Sequence, residues 1–392
     1  MTPPARKLLV LQAGGPTTVI NATLHAVIAS AGRDQRVSGI VGARHGLAGL
    51  RDDDIVDLTR IPGHILDALP ATPGAFLGSS RDRLEPGDGD RIASRLVRDN
   101  IGYVIMIGGN GTMCAAHEFA AVNRTQDHDI AVVVAAKTVD NDIVHTDRCP
   151  GFGSAARFVT HTVRELLVDV QSLPVPVSIY ETMGRDAGWL AGAAALAGTD
   201  RLAGPQLVAL PEQPFELDAF LGVIDDAVSR DGWAVAVVSE GIRDHDGKPV
   251  HCQDDAHRDQ VGRPLPGGVS QFLADQVGRQ LKLRCRNEKP GICGRSAMPY
   301  VSAVDRADAT ACGQAAVGAA VTGSGGRMVG LAPLAADPET LLVPLDQVAG
   351  NHRTVPPELL DPGPINVNEG FLDYVRPLIG DGLPVYPPIP CG

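Results

Sequence analysis

Aromatic side chains are scarce in this chain of 392 residues, with Phe, Trp and Tyr together at 4%. That scarcity, with 45 glycines and abundant alanine and valine, suits α/β layers joined by tight loops. Positive charge is also in deficit. Lys and Arg number 34 against 46 Asp and Glu, a formal net charge of −12, which argues against a general nucleic-acid binder. A phosphate site is still open, because a few arginines in a pocket dominate the local field. Paired cysteine motifs are missing: the seven cysteines are odd in number and scattered without C-x-x-C spacing. With no signal-peptide pattern, the expectation is a reduced, cytoplasmic protein. No apolar run approaches about eighteen residues, so no membrane span or membrane partner is expected. Low-complexity tracts and short-period repeats are absent, and the length suffices for two domains.

What is present centres on residues 135–142, Ala-Ala-Lys-Thr-Val-Asp-Asn-Asp. The apolar run Ile130 to Ala136 reads as a buried strand of a parallel sheet. It stops abruptly in a cation, a hydroxyl and two carboxylates. That is the C-terminal edge of a strand, where open α/β sheets bind ligands. Two aspartates two residues apart can divide the work, one taking a proton and the other fixing a metal or an arginine. A solvated turn with an Asp helix cap would look the same in isolation.

Other strand ends strengthen the functional reading. Leu8 to Gln12 reads as a strand running into Ala13-Gly14-Gly15-Pro16, with a helical pattern over Ile20 to Ala31; this order presents backbone N–H groups and a helix N-terminus to an anion. Gly74 to Arg81 is a second small-residue loop ending in a cation. Tyr103 to Ile107 reads as a strand ending in Gly108-Gly109-Asn110-Gly111-Thr112, before a helix to about Val122, and Asn110 offers an amide oxygen where a metal ligand could sit. Three such loops within about 140 residues point jointly to one polyphosphate site. Further on, the strands Val177 to Glu181, Gln206 to Leu210 and Ala234 to Ser239 end in charged residues, and helices are expected from Gly151 to about Val168, Leu190 to Ala197, Val269 to Leu281 and about Arg306 to Val321. These suggest a second α/β layer. The polar loop Ile242 to Pro266, with His245, His251, Cys252 and His257, matches no standard metal-ligand spacing and reads as an ordinary loop. A basic stretch runs from Lys282 to Lys289, and the proline-rich end, Val355 to Pro390, reads as an extended tail laid over the body.

These motifs together resemble the phosphofructokinases, over nearly the whole chain. The carrying residues are Gly14-Gly15 with Asn21, Phe76 to Ser79 with Arg81, Gly108 to Thr112, Lys137 to Asp142, Pro150 to Ala155, Glu181 to Arg185, and Glu240-Gly241. Lys137, the Pro150 to Ala155 run and the tail from Phe371 to Ile379 look most like the diphosphate-using branch. The resemblance implies two doubly wound α/β layers with the active site in the cleft between them. It implies a donor-binding domain of residues 1–148 with about 290–325, a sugar-phosphate domain of 149–289 with about 326–354, and a tail, 355–392, on the body. Asp140 matches the family's general base and Asp142 its orienting partner. Thr138 would touch the transferred phosphoryl group or the sugar, Arg81 and Arg185 would steady charge in the transition state, and Gly14 would donate a backbone N–H. Gly15, Gly109, Asn110, Gly111, Thr112 and Lys137 complete the donor site, with Asn110 beside Mg²⁺. Met183, Gly184 and Glu240 would hold the sugar, and Arg286 and Arg295 its phosphate. Arg286 reaches across from a neighbouring subunit in this family, so a homo-oligomer, dimer or tetramer, is implied. The small-molecule partners implied are ATP or diphosphate and a sugar phosphate.

Some positions depart from the pattern. Asn110 stands where the ATP enzymes carry an aspartate, although part of the diphosphate branch also uses Asn. Gly111 stands where diphosphate users carry Asp, and glycine removes both the bulk and the charge that would oppose an α-phosphate. Lys137 favours diphosphate, but a flexible ammonium could turn aside for a nucleotide. Exclusion outweighs attraction in specificity, so Gly111 leads to the expectation of ATP as donor, with diphosphate as the alternative. Pro176 replaces an arginine for the sugar's phosphate, and Ile292 and Gly294 replace polar residues beside Arg295. The acceptor is therefore expected to be fructose 6-phosphate or a related ketose phosphate, with a different sugar or sugar phosphate as alternative. Asp140, Asp142 and Arg185 together speak against a non-catalytic regulatory homologue.

Overall fold

The computed structural model describes residues 4–252 and 267–387, so His257 of the polar loop lies outside the described residues. Its strands are β1 (Arg6–Gln12), β2 (Val37–Ala43), β3 (Ile55–Asp57), β4 (Ile101–Gly108), β5 (Ala131–Ala136), β6 (Val177–Thr182), β7 (Leu207–Ala209), β8 (Ala234–Ser239), β9 (Cys285–Glu288), β10 (Arg327–Leu331) and β11 (Thr340–Pro344). The chain forms two compact units, one of residues up to Phe152 with Arg295–Arg353, the other of Gly153–Gly294 with residues from Thr354 onward.

The first unit is built on a seven-stranded sheet in the order β11-β10-β5-β4-β1-β2-β3. Its central strands are parallel, and β11 and β3 close the edges antiparallel. Continuous aliphatic runs make these strands because both faces are buried. Along β1, Leu9 and Leu11 pack with Met113 and Phe119 on one face, while Leu8 and Val10 pack with Leu24 and Val27 on the other. The helices Ile20–Ala31 and Ala303–Val321 cover that second face, and Asp88–Arg98 and Asn110–Thr125 cover the first. Strand register aligns the loop exits. Gln12 pairs with Ile107 and Gly108 with Ala136, so β1, β4 and β5 release their loops side by side. The chain reverses direction across the sheet between β1 and β4, the crevice position at which such folds take ligands.

The second unit has a four-stranded parallel sheet in the order β7-β8-β6-β9. Val177 and Ile179 of β6 and Ala234, Ala236 and Val238 of β8 pack under the helices Leu217–Asp231 and Val269–Gln280. Thr182 pairs with Ser239, which brings the Met183 to Arg185 loop and Glu240 out together.

Three boundaries differ from the sequence reading, the first being the break expected after 148, which falls after Phe152. Of residues 326–354, all but Thr354 belong with the first unit, because β10 pairs with β5 and carries β11 with it. Residues 290–294 fall in the second unit, and the first resumes only at Arg295. The tail is not simply extended. Glu369–Ile379 is a helix, capped by Asn368, whose side chain accepts from the Phe371 N–H. Phe371, Val375, Leu378 and Ile379 are buried, a helical spacing hidden between prolines, and Phe371 stacks on Trp189 at 5.6 Å.

Candidate active site

The donor loops converge in the first unit through a pair of buried amides. Gln12 and Asn21 are fully buried. Gln12 Nε2 donates to Asn21 Oδ1 at 3.0 Å, and the two side chains accept from Leu77 N–H at 2.9 Å and Phe76 N–H at 3.0 Å. Asn21 Nδ2 donates to the carbonyls of Thr72 and Gly74. These bonds staple the 72–80 loop onto the end of β1. The Ser79 hydroxyl then donates to the Gly14 carbonyl at 2.6 Å. The Gly14 N–H, expected to face the transferred group, instead donates to the Ser80 carbonyl at 2.9 Å, so that donor is occupied here.

The result is a cavity of about 430 Å³, lined by Gly14, Gly15, Ser79, Ser80, Arg81 and Arg295. The expectation for Arg295 is a place at the acceptor's phosphate with Arg286. It lies in this unit beside Gly15, where a Cβ would stand 2.6 Å from its Nη1, whereas Arg286 is exposed on β9 of the second unit. Arg295 Nε is buried with no hydrogen-bond partner among the described residues, an unmet donor facing a ligand-sized space. Lys137 completes a cation cluster. It is buried and its Nζ donates to the Gly15 carbonyl at 2.7 Å, so it does not swing aside. Burial, then Arg295, pushes its ammonium down to about 8, against the pull of Asp140 and Asp142. The charge is therefore present below about pH 8 and lost above it. Donor KM is expected to rise as pH passes from about 7.5 to 9, and the rise to vanish in Lys137→Met. Native donor KM that stays level across this range would contradict the role.

The reaction loop leaves β5 and is held from several sides. Asp140 N–H donates to Thr138 Oγ1 at 3.1 Å, and Thr138 N–H to the Pro150 carbonyl at 3.1 Å. Asn141 is buried in the left-handed region at φ 52°, and its amide oxygen takes the Cys149 N–H at 3.0 Å, a local bond that compensates the conformation. Gly151 has φ 112°, and a Cβ there would meet Thr17 at 2.5 Å. Its N–H donates to Asp305 at 2.7 Å. Arg148 makes a two-pronged bond to Asp308, both at 2.7 Å. Asp142 accepts from Asn110 Nδ2 at 2.8 Å, and its carbonyl takes the Arg353 N–H at 2.8 Å. Thr112 is buried, its hydroxyl packed where a Cβ on Gly108 would be, so it shapes the loop rather than facing it. Gly111 is exposed, and a Cβ there would meet nothing within 4 Å.

A divalent metal fits this unit. Asn110 Oδ1 and Asp142 Oδ1 are buried oxygens without hydrogen-bond partners among the described residues. Mg²⁺ takes oxygen ligands, commonly one or two from protein and the rest from phosphates and water. Among the described residues no group of three or more His, Cys, Asp or Glu forms an all-protein cage. His245 instead pairs with Glu216, and His251 stacks on Phe272 at 5.3 Å.

In the second unit Met183, Gly184, Arg185 and Glu240 come together. Glu240 N–H donates to the Thr182 carbonyl at 3.0 Å. A Cβ on Gly241 would collide with the Arg185 carbonyl at 1.8 Å, and one on Gly184 with that of Ala187 at 2.5 Å. Glycine at both positions lets the loops interlock. Burial pushes Glu240 up to about 7, with Lys289 opposing and the Glu181 charge adding to the rise. Beside them is a mostly apolar recess of Phe158, Tyr180, Met183, Pro290 and Gly294. The sequence reading missed the Gln12–Asn21 staple's contacts, the Arg148–Asp308 pair and His352, whose Nδ1 lies 3.1 Å from Asn110 Nδ2. The only signal for these is polar residues inside apolar patterns, which does not say what they meet.

Glycine loops, cations and a carboxylate pair at one edge of a doubly wound sheet define a phosphoryl-transfer enzyme. Comparison with known proteins narrows this. The family model for phosphofructokinase matches residues 7–320. The chain is 35% identical over 399 residues to the pyrophosphate–fructose 6-phosphate 1-phosphotransferase of Xanthomonas campestris pv. campestris, spanning 97% of this chain and 95% of that one. It is 34% identical over 327 residues to the sulfofructose kinase of Alkalicoccus urumqiensis, 83% of each chain. The crystal structure of a pyrophosphate-dependent phosphofructokinase from Nitrosospira multiformis aligns with TM-score 0.87 and 29% identity, covering 97% of this chain and 94% of that one. The chain belongs to the phosphofructokinase family, and it is a phosphotransferase with an alcohol group as acceptor.

Proposed function

We propose that the enzyme moves the terminal phosphoryl group of ATP to O1 of fructose 6-phosphate or a related ketose phosphate. Asp140 takes the proton of the attacking hydroxyl as its oxygen bonds to phosphorus and the bond to the leaving phosphate breaks. Such transfers depend on in-line positioning and charge neutralisation more than on covalent help. Arg81, Arg295 and Lys137 supply the positive charge, and Arg185 steadies charge in the transition state. Asn110 and Asp142 would hold Mg²⁺, which when bound neutralises phosphate charge. Gly14, Gly15, Gly109 and Gly111 allow the donor a close approach, Met183, Gly184 and Glu240 hold the sugar, and Thr138 touches the transferred group or the sugar. The observation that carries the reading is the convergence of Arg81, Arg295 and Lys137 on the glycine loops. The exposed Arg286 on the edge strand β9 supports its serving a neighbouring subunit in a dimer or tetramer, which light scattering would measure as a mass above one chain. The described cysteines are all free thiols, as suits the cytoplasm.

ATP is favoured by the open space at Gly111. Lys137 is tied to Gly15 and so supports the loop whichever donor binds. Diphosphate is the second reading, favoured by the names of the Xanthomonas and Nitrosospira relatives. The sulfofructose kinase relative, with Pro176, Ile292 and Gly294, keeps a different anionic ketose in view. The test is a matrix of ATP and diphosphate against several sugar phosphates and sulfonates at matched magnesium. Gly111→Asp has room to fold normally. Its carboxylate would repel an α-phosphate by roughly 4 kcal/mol at moderate dielectric, which solvent at this exposed position reduces to about a 10–100-fold loss in kcat/KM for ATP. Native preference for diphosphate, or ATP turnover unchanged by Gly111→Asp, would refute the donor assignment.

A further inference from the structure

Beneath the second-unit pocket lies a carboxylate that the transfer chemistry does not use. The Glu181 side chain is 1% exposed and 2.8 Å from the Lys289 ammonium. It also accepts from Gly268 N–H at 3.1 Å and from the N–H and hydroxyl of Ser270, both at 2.9 Å. An ionised carboxylate has about four lone-pair sites, so Glu181 has little capacity left for a ligand. Burial alone would raise its carboxyl, but Lys289 and the Ser270 donors outweigh that and hold it below the usual range. What Glu181 does is fix Lys289 in place. Tyr180 of β6 pairs with Glu288 of β9 and Thr182 with Ser239 of β8, so Lys289, Glu181 and Glu240 stand at the ends of three adjacent strands. The Lys289 side chain keeps 36% of its surface exposed and its charge acts on Glu240. Among the described residues, the charged groups facing Glu240 are Lys289, Glu181 and Arg185, with the Gly184 N–H; Arg243 is paired with Asp186 at 2.9 Å.

We infer that Lys289, pinned by Glu181, is a positioning residue of the acceptor pocket that keeps Glu240 a charged carboxylate ready to accept from sugar hydroxyls. This rests on the reading of Glu240 as an acceptor-binding residue. Glu240 is pushed up to about 7 by burial even with Lys289 opposing, so about half of it is ionised at neutral pH, and without Lys289 most of it would hold its proton there. The carboxylate would then lose part of its capacity to accept, and would recover it once alkali removed the proton.

The experiment measures acceptor kcat/KM with fructose 6-phosphate at saturating donor, native and variant compared at each pH from about 6 to 9. In Lys289→Met the acid limb is expected to move up by about one unit, which makes the variant about tenfold worse at pH 6, about fivefold worse at pH 7, and within about twofold of native at pH 9. Lys289→Arg is expected to keep the native limb. A Lys289→Met variant unimpaired at every pH, or equally impaired at both ends, overturns the inference. Glu240→Gln separates the two readings: it should raise acceptor KM and remove the limb. If it does neither, the acceptor-pocket reading falls; if it does both while Lys289→Met keeps the native limb, only this inference falls.

Discussion

Asp140→Asn is expected to lower kcat by about two to four orders of magnitude, the usual contribution of a positioned general base. KM for donor and acceptor should stay within about threefold of native, because the amide keeps the shape and loses only the proton acceptor. Asp140 is placed for this by the strand that delivers it and by its own N–H, bonded to Thr138 Oγ1 at 3.1 Å. Its carboxylate also lies within electrostatic reach of Lys137 and Arg295. Steady-state kinetics decide the matter, and a variant that kept most of its kcat would remove Asp140 from the role.

The second large effect is on stability. Asp308→Ala is expected to cost about 3–5 kcal/mol, because it leaves the Arg148 guanidinium buried without its counter-charge. The two side chains are 3% and 4% exposed, so water cannot take the place of the lost carboxylate. Burial raises the Asp308 carboxyl even with Arg148 against it, whereas Asp308 keeps the Arg148 guanidinium charged despite burial; a buried pair of this kind is commonly near break-even against an apolar replacement. A joint Arg148→Met, Asp308→Leu replacement should therefore recover most of the loss. Denaturant unfolding of the two variants tests this. A single variant within about 1 kcal/mol of native would show that the pair is not what anchors the loop after Asp142.

Much of the layered fold was legible locally. The runs that became β1, β4, β5, β6 and β8 are short and aliphatic because both faces are buried, and such runs bounded by glycines announce themselves. The helix Ile20–Ala31 matched its apolar spacing to the residue. Strands β10 and β11 were missed as parts of the first sheet, since β5, the partner of β10, lies far upstream and β11 joins the sheet only through β10. The tail helix was masked by flanking prolines, which speak for extended chain, while Phe371 and Val375 answer to Trp189 and its neighbours.

The sequence by itself determined which residue types stand at strand ends: Gly14 and Gly15, Asn110 and Gly111, Lys137, Asp140 and Asp142, Gly184 and Glu240. It could do so because strand, glycine turn and helix are encoded within a few residues by periodicity and backbone freedom. Only the tertiary structure decided what these groups face. Arg295 joins the Gly15 loop from 280 positions away in the chain. Gln12 meets Leu77, Arg148 meets Asp308, and Glu181 meets Lys289. The Gly14 N–H turns to Ser80 and Thr112 turns inward. A buried polar group must find a partner, but any of many donors and acceptors could satisfy it, and which one does depends on strand register and on segments that meet only once the chain has folded.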